Sequence, residues 1–253
     1  MKAIERRQEI LKLLETMRSL TIKELAEKLE VSTMTIRRDL NIFSQQGLIT
    51  LTHGSAVLNS GGAFFYNQRF RRKNLQPEKS RIGQYCASLV KEGSSIFIDC
   101  GSTTEEIAGH LIDRKNIVVL TDSLPAANIL SAAKEVKLLI APGEYVESIN
   151  GFIGELTNEF IRRFTVDILF LAGTGVHSKS GVTTASIVDA ETKRALVRQA
   201  RKVVLAMDHT KMQINSLVSV ADLSELSMIV TNKEADPKLL EHLRGHGVEI
   251  ILV

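Results

Sequence analysis

Residues 31–43 read VSTMTIRRDLNIF, and this stretch carries two stripes of side chains at helical spacing. Ile36, Leu40 and Phe43 recur every four or three residues, so they lie on one face of an α-helix. The opposite stripe keeps the same spacing and consists of Met34, Arg37, Arg38 and Asn41. The apolar stripe is therefore predicted to face a small core, and the stripe with two arginines is predicted to be exposed.

Two helices are predicted before this stretch. Residues 4–17 contain an apolar stripe of about four turns, which indicates an amphipathic helix. Thr21, with Glu24 three residues later, has the pattern of a capping box and predicts the start of a second helix. Ser32 or Thr33 is predicted to cap the third helix, because serine and threonine are preferred at that position.

Two short β-strands are predicted after the third helix. Residues 48–51 and 56–58 are β-like and flank the turn His53-Gly54. Three helices followed by a hairpin is the element order of a winged helix-turn-helix, which we assign to residues 1–58. Because that motif places its second helix in the major groove of DNA, the exposed stripe is a candidate for base contacts.

The exposed stripe has the chemistry that reads DNA. Arginine can donate two hydrogen bonds to a guanine edge, asparagine can pair with adenine, and hydroxyls at a helix start commonly meet phosphate. The predicted DNA contacts are Thr33, Met34, Thr35, Arg37, Arg38 and Asn41, with His53 on the wing. The alternative is a surface helix whose arginines pair with neighbouring acids. Asp39, beside the core face, is predicted to be such a structural partner.

Charge is divided unevenly along the chain. Residues 1–73 carry 13 Lys/Arg and 7 Asp/Glu, whereas residues 74–253 carry 19 and 22. This asymmetry favours a polyanion as partner of the amino-terminal part. Much of the excess lies in residues 69–73, so a solvated basic linker explains the charge equally well.

The sequence pattern changes at residue 77. Residues 59–76 have little periodicity and are predicted to be an interdomain linker. In residues 77–253, short continuous apolar runs alternate with helical segments, which predicts a layered, mostly parallel α/β domain. The predicted strands are residues 95–98, 117–120, 136–140, 168–171, 203–206, 228–230 and 248–252. The predicted helices are residues 79–90, 104–111, 124–133, 188–199 and 237–243.

Four loops that follow predicted strands carry polar residues. Such loops converge on one crevice of an open parallel sheet, where ligands bind. Lysine and backbone N–H groups suit a phosphate, and a carboxylate suits sugar hydroxyls. The candidate ligand residues are Asp99, Gly101, Ser102, Thr103, Thr104, Ser123, Leu124, Gly173, Thr174, Gly175, Asp208 and Lys211. Lys79 and Lys193 are further candidate cations, with the equal alternative that each is a solvated helix residue.

Several motifs together resemble the DeoR family of bacterial transcriptional regulators. In chain order they are residues 31–40, Gly47-Leu48-Ile49, His53-Gly54, Asp99-Cys100-Gly101-Ser102-Thr103-Thr104, Ser123-Leu124-Pro125, Gly173-Thr174-Gly175 and Asp208-His209-Thr210-Lys211. The resemblance covers essentially the whole chain. The chain departs from the family pattern at Ser55, where the family usually has Gly, and at Asp122, where it usually has Asn. It also has Met212-Gln213 where Phe-Gly is common.

The resemblance implies a DNA-binding repressor of a carbohydrate-metabolism operon, released from its operator by a phosphorylated sugar. It also implies a sensor domain similar to sugar-phosphate isomerases and a homo-oligomer, a dimer or a tetramer. The alternative is an isomerase-like enzyme with an appended DNA-binding domain. Those isomerases place an acid pair where this chain has residues 173–176, and only Asp99 and Glu191 are available as substitutes. No catalytic residue is therefore predicted.

The sequence favours a cytoplasmic protein that binds no metal or cofactor. It contains no apolar run of about 18 residues, which predicts no membrane span. Cys86 and Cys100 lack metal-ligand or redox-motif spacing and are expected to be inert thiols in a reducing cytosol. His177 and His209 lie in loops without a close cysteine or histidine partner, so no metal site is predicted.

Overall fold

The computed structural model describes residues 3–17, 19–45, 49–52, 54–58 and 75–253. The chain divides into two compact units, residues 1–70 and 71–253. His53, and all but the last two residues of the predicted linker 59–76, lie outside the described residues.

The described part of the amino-terminal unit contains three helices and a small antiparallel sheet. Its helices are α1 (Ala3–Met17), α2 (Ile22–Lys28) and α3 (Thr33–Gln45). Its strands are β1 (Ser19–Thr21), β2 (Ile49–Thr52) and β3 (Ser55–Leu58), in the order β1-β3-β2. The helices and the β2–β3 hairpin confirm the predicted winged helix-turn-helix. The three residues of β1 were not predicted, because so short a strand has no periodicity of its own and forms only by pairing Leu20 with Ala56.

The helix caps explain where α2 and α3 begin. The Thr21 hydroxyl accepts a hydrogen bond from the Glu24 backbone N–H at 3.1 Å, and the Glu24 carboxylate accepts one from the Thr21 N–H at 2.7 Å. This reciprocal pair confirms the predicted capping box. Ser32 Oγ accepts from the Thr35 N–H at 3.2 Å, so Ser32, not Thr33, caps α3.

The carboxy-terminal unit is built on a seven-stranded sheet in which every pair of neighbours is parallel. Its strands are β4 (Ser95–Ile98), β5 (Ile117–Thr121), β6 (Val136–Ile140), β9 (Val166–Leu171), β12 (Ala200–Ala206), β14 (Met228–Thr231) and β15 (Glu249–Leu252). All seven predicted strands are confirmed, with ends that differ by up to three residues. Their order is β15-β14-β12-β9-β4-β5-β6.

Helices cover both faces of this sheet. They are α4 (Gln76–Ser88), α5 (Thr104–Gly109), α6 (Leu124–Leu130), α7 (Glu155–Ile161), α8 (Ile187–Arg198) and α9 (Pro237–Arg244). Buried residues of α4, α5 and α6 pack with Ile96 and Ile98 on one face, and those of α7, α8 and α9 pack with Phe97 on the other. Alternate residues of one strand thus serve two cores, which makes the apolar runs continuous. Of these helices, only α7 was not predicted.

Two small β-structures were also not predicted. β7 (Glu144–Val146) and β8 (Gly151–Ile153) form an antiparallel hairpin, and β10 (Gly175–His177), β11 (Gly181–Thr184) and β13 (Val218–Ala221) form a three-stranded sheet. These short strands contain polar residues or glycine, so they lack the continuous apolar run that marks a strand of the parallel sheet. No described helix has the length and apolar character needed to span a membrane.

Candidate functional site

The exposed face of α3 carries the predicted DNA contacts. Ile36 and Leu40 are fully buried and Phe43 nearly so, whereas Arg37, Arg38 and the other polar members of the stripe face outward. Met34 is 75% exposed. One surface concavity is lined by Arg6, Met34, Thr35, Arg37, Arg38 and Asn41. Both stripes are therefore oriented as predicted, and the basic stripe is available to a ligand.

Asp39 ties the recognition helix to α1. Its carboxylate accepts hydrogen bonds from Arg6 Nε at 2.7 Å and from Arg7 Nε at 2.6 Å, one on each oxygen. Asp39 is 1% exposed, so it lies beneath the surface that Arg37 and Arg38 occupy. This geometry fits the structural role predicted for Asp39. The sequence did not indicate its partners, because they lie more than 30 positions away on another helix.

The strand order places a crevice between β4 and β9. From β4 the chain proceeds outward through β5 and β6, and it then returns to β9 on the other side of β4 and proceeds through β12, β14 and β15. The connections that follow the two strands at such a reversal lead away in opposite directions, and open parallel sheets bind ligands in the crevice between them. Asp99 Oδ2 spans the reversal by accepting a hydrogen bond from the Ala172 N–H at 2.7 Å.

The loop after β4 has buried hydroxyls without partners. Thr104 Oγ1 donates to the Asp99 carbonyl at 2.6 Å and thereby closes the loop. Ser102 Oγ and Thr103 Oγ1 are buried and have no hydrogen-bond partner in the described part of the chain. A buried hydroxyl left unpaired costs about 1–3 kcal/mol, so these groups mark a place where a ligand would stabilise the fold. Gly101 is required by close packing, since a Cβ there would lie 2.6 Å from the Ala172 Cβ.

A second polar group lies at the ends of β9 and β12. Lys211 Nζ donates to the Gly173 carbonyl at 3.3 Å, and Lys79 Nζ lies 4.0 Å from Asp208 Oδ2. Burial opposes ionisation of Asp208, but Lys211 and Lys79 outweigh it and hold the pKa of this carboxyl below its ordinary value. Asp208 also accepts from the Thr210 backbone N–H at 3.1 Å, so it fixes this loop, and its negative charge attracts Lys211 and Lys79.

Lys193 forms a buried ion-pair network at the same edge of the sheet. Its Nζ lies 2.7 Å from both Asp99 oxygens and 3.4 Å from Asp189 Oδ1. Burial alone would lower the pKa of Lys193, but Asp189 and Asp99 raise it well above its ordinary value. Asp189 is held in turn by the Thr184 hydroxyl at 2.5 Å.

These contacts correct two interpretations. Lys79 and Lys193 are 2% and 3% exposed, so the alternative that they are solvated helix residues is wrong. The reason is that α4 and α8 pack against the sheet and direct these side chains at buried carboxylates. Asp99 is predicted as a ligand contact, and its two oxygens accept hydrogen bonds from the Lys193 ammonium and the Ala172 N–H, so it also fixes the position of Lys193 at this edge.

The remaining candidate ligand residues lie at the same edge with different contacts. Ser123 is fully buried and its hydroxyl caps α6 by accepting from the Ala126 N–H at 3.3 Å, whereas Leu124 is 42% exposed. Thr174 Oγ1 lies 3.4 Å from Thr184 Oγ1. Gly173 precedes Thr174 in the loop after β9, and Gly175 is the first residue of β10. Ala172 contacts Asp99 and the next residue contacts Lys211, so the end of β9 joins the two polar groups.

Asp122 belongs to this edge and was not predicted as a site residue. It follows β5 as Asp99 follows β4, and this equivalent position was the signal available in the sequence. Asp122 is fully buried, and neither carboxyl oxygen has a hydrogen-bond partner among the described residues. Burial, and then the neighbouring Asp99, raise the pKa of Asp122 well above its ordinary value.

The cysteines and histidines have structural environments. Burial raises the pKa of Cys86 to about 12 and that of Cys100 well above its ordinary value, which keeps both thiols protonated. Ligand atoms of Asp99, Cys100 and Asp122 lie within 4.8 Å of one another, but the Lys193 ammonium already binds Asp99, so we assign no metal there. His209 Nδ1 lies 2.7 Å from the Asn232 amide nitrogen. His177 Nδ1 accepts from the Lys179 N–H at 3.1 Å.

Comparison with known proteins identifies both units. Residues 6–61 match the DeoR-like helix-turn-helix domain, and residues 75–233 match the DeoR C terminal sensor domain. The chain is 32% identical to the glycerol-3-phosphate regulon repressor of Escherichia coli (strain K12) over 254 residues, which cover 100% of each protein. This chain belongs to the DeoR family. The DeoR-family chain is a DNA-binding transcriptional repressor with a helix-turn-helix domain and a sensor domain.

The chain is also similar to another curated relative and to a solved structure. This chain is 28% identical to the HTH-type transcriptional regulator IolR of Bacillus subtilis (strain 168), over 92% of this chain and 93% of that protein. Ribose 5-phosphate isomerase A from Methanocaldococcus jannaschii is similar over 54% of each chain, with 16% sequence identity and a TM-score of 0.40.

Proposed function

We propose that this repressor binds a phosphorylated sugar or polyol at the carboxyl edge of its parallel sheet, and that binding releases it from operator DNA. The observation that carries the proposal is the pair of buried hydroxyls on Ser102 and Thr103 at the β4–β9 reversal, which have no hydrogen-bond partner among the residues that the structure describes. Lys211, after β12, and Lys79, on α4, supply positive charge. Hydroxyl donors beside ammonium groups are the chemistry that binds a phosphate monoester.

The phosphate is assigned to the loop after β4 and to Lys211. Ser102 and Thr103 donate from their hydroxyls, and Lys211, now on the Gly173 carbonyl, turns to the phosphate. Lys79 stays beside Asp208 and adds long-range attraction. Names of relatives support this ligand class, since the glycerol-3-phosphate regulon repressors of Escherichia coli and Haemophilus influenzae are 32% and 30% identical to this chain.

Release of DNA requires a ligand that prefers the state with low operator affinity. A coupling free energy of about 1–3 kcal/mol between the two sites would be typical. We propose a cytoplasmic homo-oligomer, a dimer or a tetramer, that presents two winged helices to paired half-sites. In this arrangement Thr33, Met34, Thr35, Arg37, Arg38 and Asn41 contact the operator, with His53 on the wing.

Catalysis is not part of the proposal. Glu191 is exposed and pairs with Arg194 at 2.7 Å, whereas Asp99 is fully buried in the Lys193 network. The two acids therefore do not form a base and an acid around one substrate, as an isomerase requires. Incubation of the purified chain with ribose 5-phosphate, followed by NMR of the sugar, is expected to show no conversion above the rate of the protein-free sample.

The test combines operator selection with ligand release. Genomic fragments that bind the full-length protein are selected, and one is labelled for fluorescence anisotropy. Glycerol 3-phosphate, ribose 5-phosphate, fructose 6-phosphate and glucitol 6-phosphate are then titrated beside their unphosphorylated forms. We expect one phosphate to release the DNA and to raise the melting temperature, because ligand at about 100 times its Kd stabilises the folded state by about 2.7 kcal/mol. DNA binding that no phosphate changes would overturn the proposed ligand class.

A further inference from the structure

A buried carboxyl group without hydrogen bonds lies beside the proposed phosphate loop. Asp122 is fully inaccessible, and its Oδ1 and Oδ2 have no partner within the described part of the chain. One of its carboxyl oxygens lies within 4.8 Å of a carboxyl oxygen of Asp99 and of the Cys100 sulfur, at the end of β4. Two and three residues beyond Cys100 lie the unpartnered hydroxyls of Ser102 and Thr103. The unsatisfied oxygens thus belong to two adjacent strand ends.

We propose that Asp122 binds the effector as a neutral carboxylic acid, donating a hydrogen bond to a hydroxyl or carbonyl oxygen of the group attached to the phosphate. This assignment rests on the proposed function and adds a specificity residue to the same site. A carboxylic acid both donates and accepts, as a sugar or polyol hydroxyl does, so the two form a complementary pair. An alkyl group at this place would leave the buried acid unpaired, which disfavours it.

The charges around Asp122 keep it neutral. The facing groups are the Asp99 carboxylate and the Cys100 thiol at the end of β4, and Lys193 and Asp189 on α8. One ammonium already serves two carboxylates, so a third buried negative charge would have no counterion. The raised pKa of Asp122 agrees with this count.

The backbone around Asp122 is fixed by other contacts. Its carbonyl accepts a hydrogen bond from the Phe152 N–H at 2.8 Å, and the next residue, Ser123, forms a β-bridge with Gly151. The β7–β8 hairpin therefore holds the backbone while the side chain makes no bond. A carboxyl with a purely structural role would be expected to bond within the protein.

The test compares two near-isosteric substitutions in the full-length protein. Asp122→Asn keeps a hydrogen-bond donor, whereas Asp122→Leu removes both donor and acceptor. The probes are the phosphate that binds the wild type in the screen above and n-propyl phosphate, which has the same charged group and no hydroxyl. Calorimetric Kd values give the preference for the hydroxylated phosphate, and circular dichroism at increasing temperature shows that each variant is folded.

The preference is the Kd for n-propyl phosphate divided by the Kd for the hydroxylated phosphate. We expect this ratio to be about ten-fold larger in the wild type and in Asp122→Asn than in Asp122→Leu, because Asp122→Leu loses about one buried hydrogen bond to the ligand. Affinity for n-propyl phosphate should be similar in all three proteins. An Asp122→Leu protein that keeps the full preference overturns this inference but leaves the proposed function standing. A wild type that binds none of the phosphates overturns both.

A second measurement tests the neutral acid directly. Carboxyl carbons of 13C-labelled aspartate are observed by NMR in the unliganded protein, and Asp122→Asn assigns the resonance. We expect the Asp122 signal to have the chemical shift of a protonated carboxyl group at neutral pH. An ionised Asp122 at neutral pH would overturn the inference whatever the ligand data show.

Discussion

Replacement of Lys193 by methionine removes the cation from the buried network. Its ammonium lies 2.7 Å from both Asp99 oxygens and 3.4 Å from Asp189, and the side chain is 4% exposed. Removing one partner of a buried ion pair costs about 3–5 kcal/mol, because the remaining charge stays desolvated. Methionine retains most of the aliphatic length, so little cavity is added. We take about 4 kcal/mol as the expected loss in free energy of unfolding.

The loss is measured by urea unfolding and by calorimetry of the full-length chain. The sensor unit spans residues 71–253, a size at which 1 kcal/mol corresponds to about 2–4 °C in melting temperature. We therefore expect its transition to fall by about 8–16 °C. The matched control is Lys202→Met, since Lys202 is an exposed lysine on β12, and its effect should be within about 0.5 kcal/mol.

The loss in Lys193→Met should depend on pH with a defined sign. Burial raises the pKa of Asp99 above its ordinary value, and removing the Lys193 ammonium takes away an interaction that lowers it, so the folded-state pKa of Asp99 in the variant lies further above that of the unfolded chain. Stability is then lost as pH rises through the range between the two values, and the defect shrinks in acid. Adding Asp99→Asn should recover at least about 1 kcal/mol, because one buried charge is removed. A loss below about 1 kcal/mol at neutral pH, or one equal at about pH 5 and about pH 8, would refute the reasoning.

Four other changes test the remaining contacts. Arg37→Ala or Arg38→Ala should weaken operator binding, measured by fluorescence anisotropy, by at least about ten-fold, while the thermal stabilisation by the effector stays unchanged. Wild-type DNA affinity in both variants would contradict the assignment of α3 as the recognition helix. Asp39→Asn should lower the unfolding free energy of the amino-terminal unit in urea by about 2 kcal/mol, less than for a fully buried pair because Arg6 and Arg7 are partly exposed. Lys211→Ala should retain operator affinity and lose release by the effector, and release at the wild-type concentration would remove Lys211 from the phosphate site. Gly181→Ala should lower the melting temperature of the sensor unit by several degrees, because φ of Gly181 is +63° and an added Cβ would collide with the Ala221 carbonyl oxygen. An unchanged melting curve would contradict this expectation.

The local signals in the sequence were sufficient for the three helices of the amino-terminal unit and for the seven strands of the parallel sheet. Helical spacing of Ile36, Leu40 and Phe43 distinguished the buried face of α3 from the basic face, and the Thr21–Glu24 pair gave the start of α2. The continuous apolar runs located all seven parallel strands, because a strand buried on both faces needs no polar alternation. Each of these signals lies within a few residues of the element that it predicts.

The partners of charged residues depended on tertiary structure. Lys79 and Lys193 have the spacing and neighbours of solvated helix lysines, and only the packing of α4 and α8 on the sheet directs them at Asp208 and Asp99. The same holds for Asp39, whose two arginines come from α1. Burial makes such pairing obligatory, but a sequence does not state which residues will be buried together.

The amino-acid sequence by itself determined a winged helix-turn-helix followed by a parallel α/β unit, and it placed polar residues after the strands. Only the tertiary structure decided the strand order that puts β9 beside β4 and the hydrogen bond from the Ala172 N–H to Asp99. It also decided that the buried Asp122 carboxyl has no hydrogen-bond partner among the described residues. The physical reason is the range of the forces involved. Periodicity and capping act over one or two turns, whereas strand order and charge burial depend on contacts between residues about 70–90 positions apart.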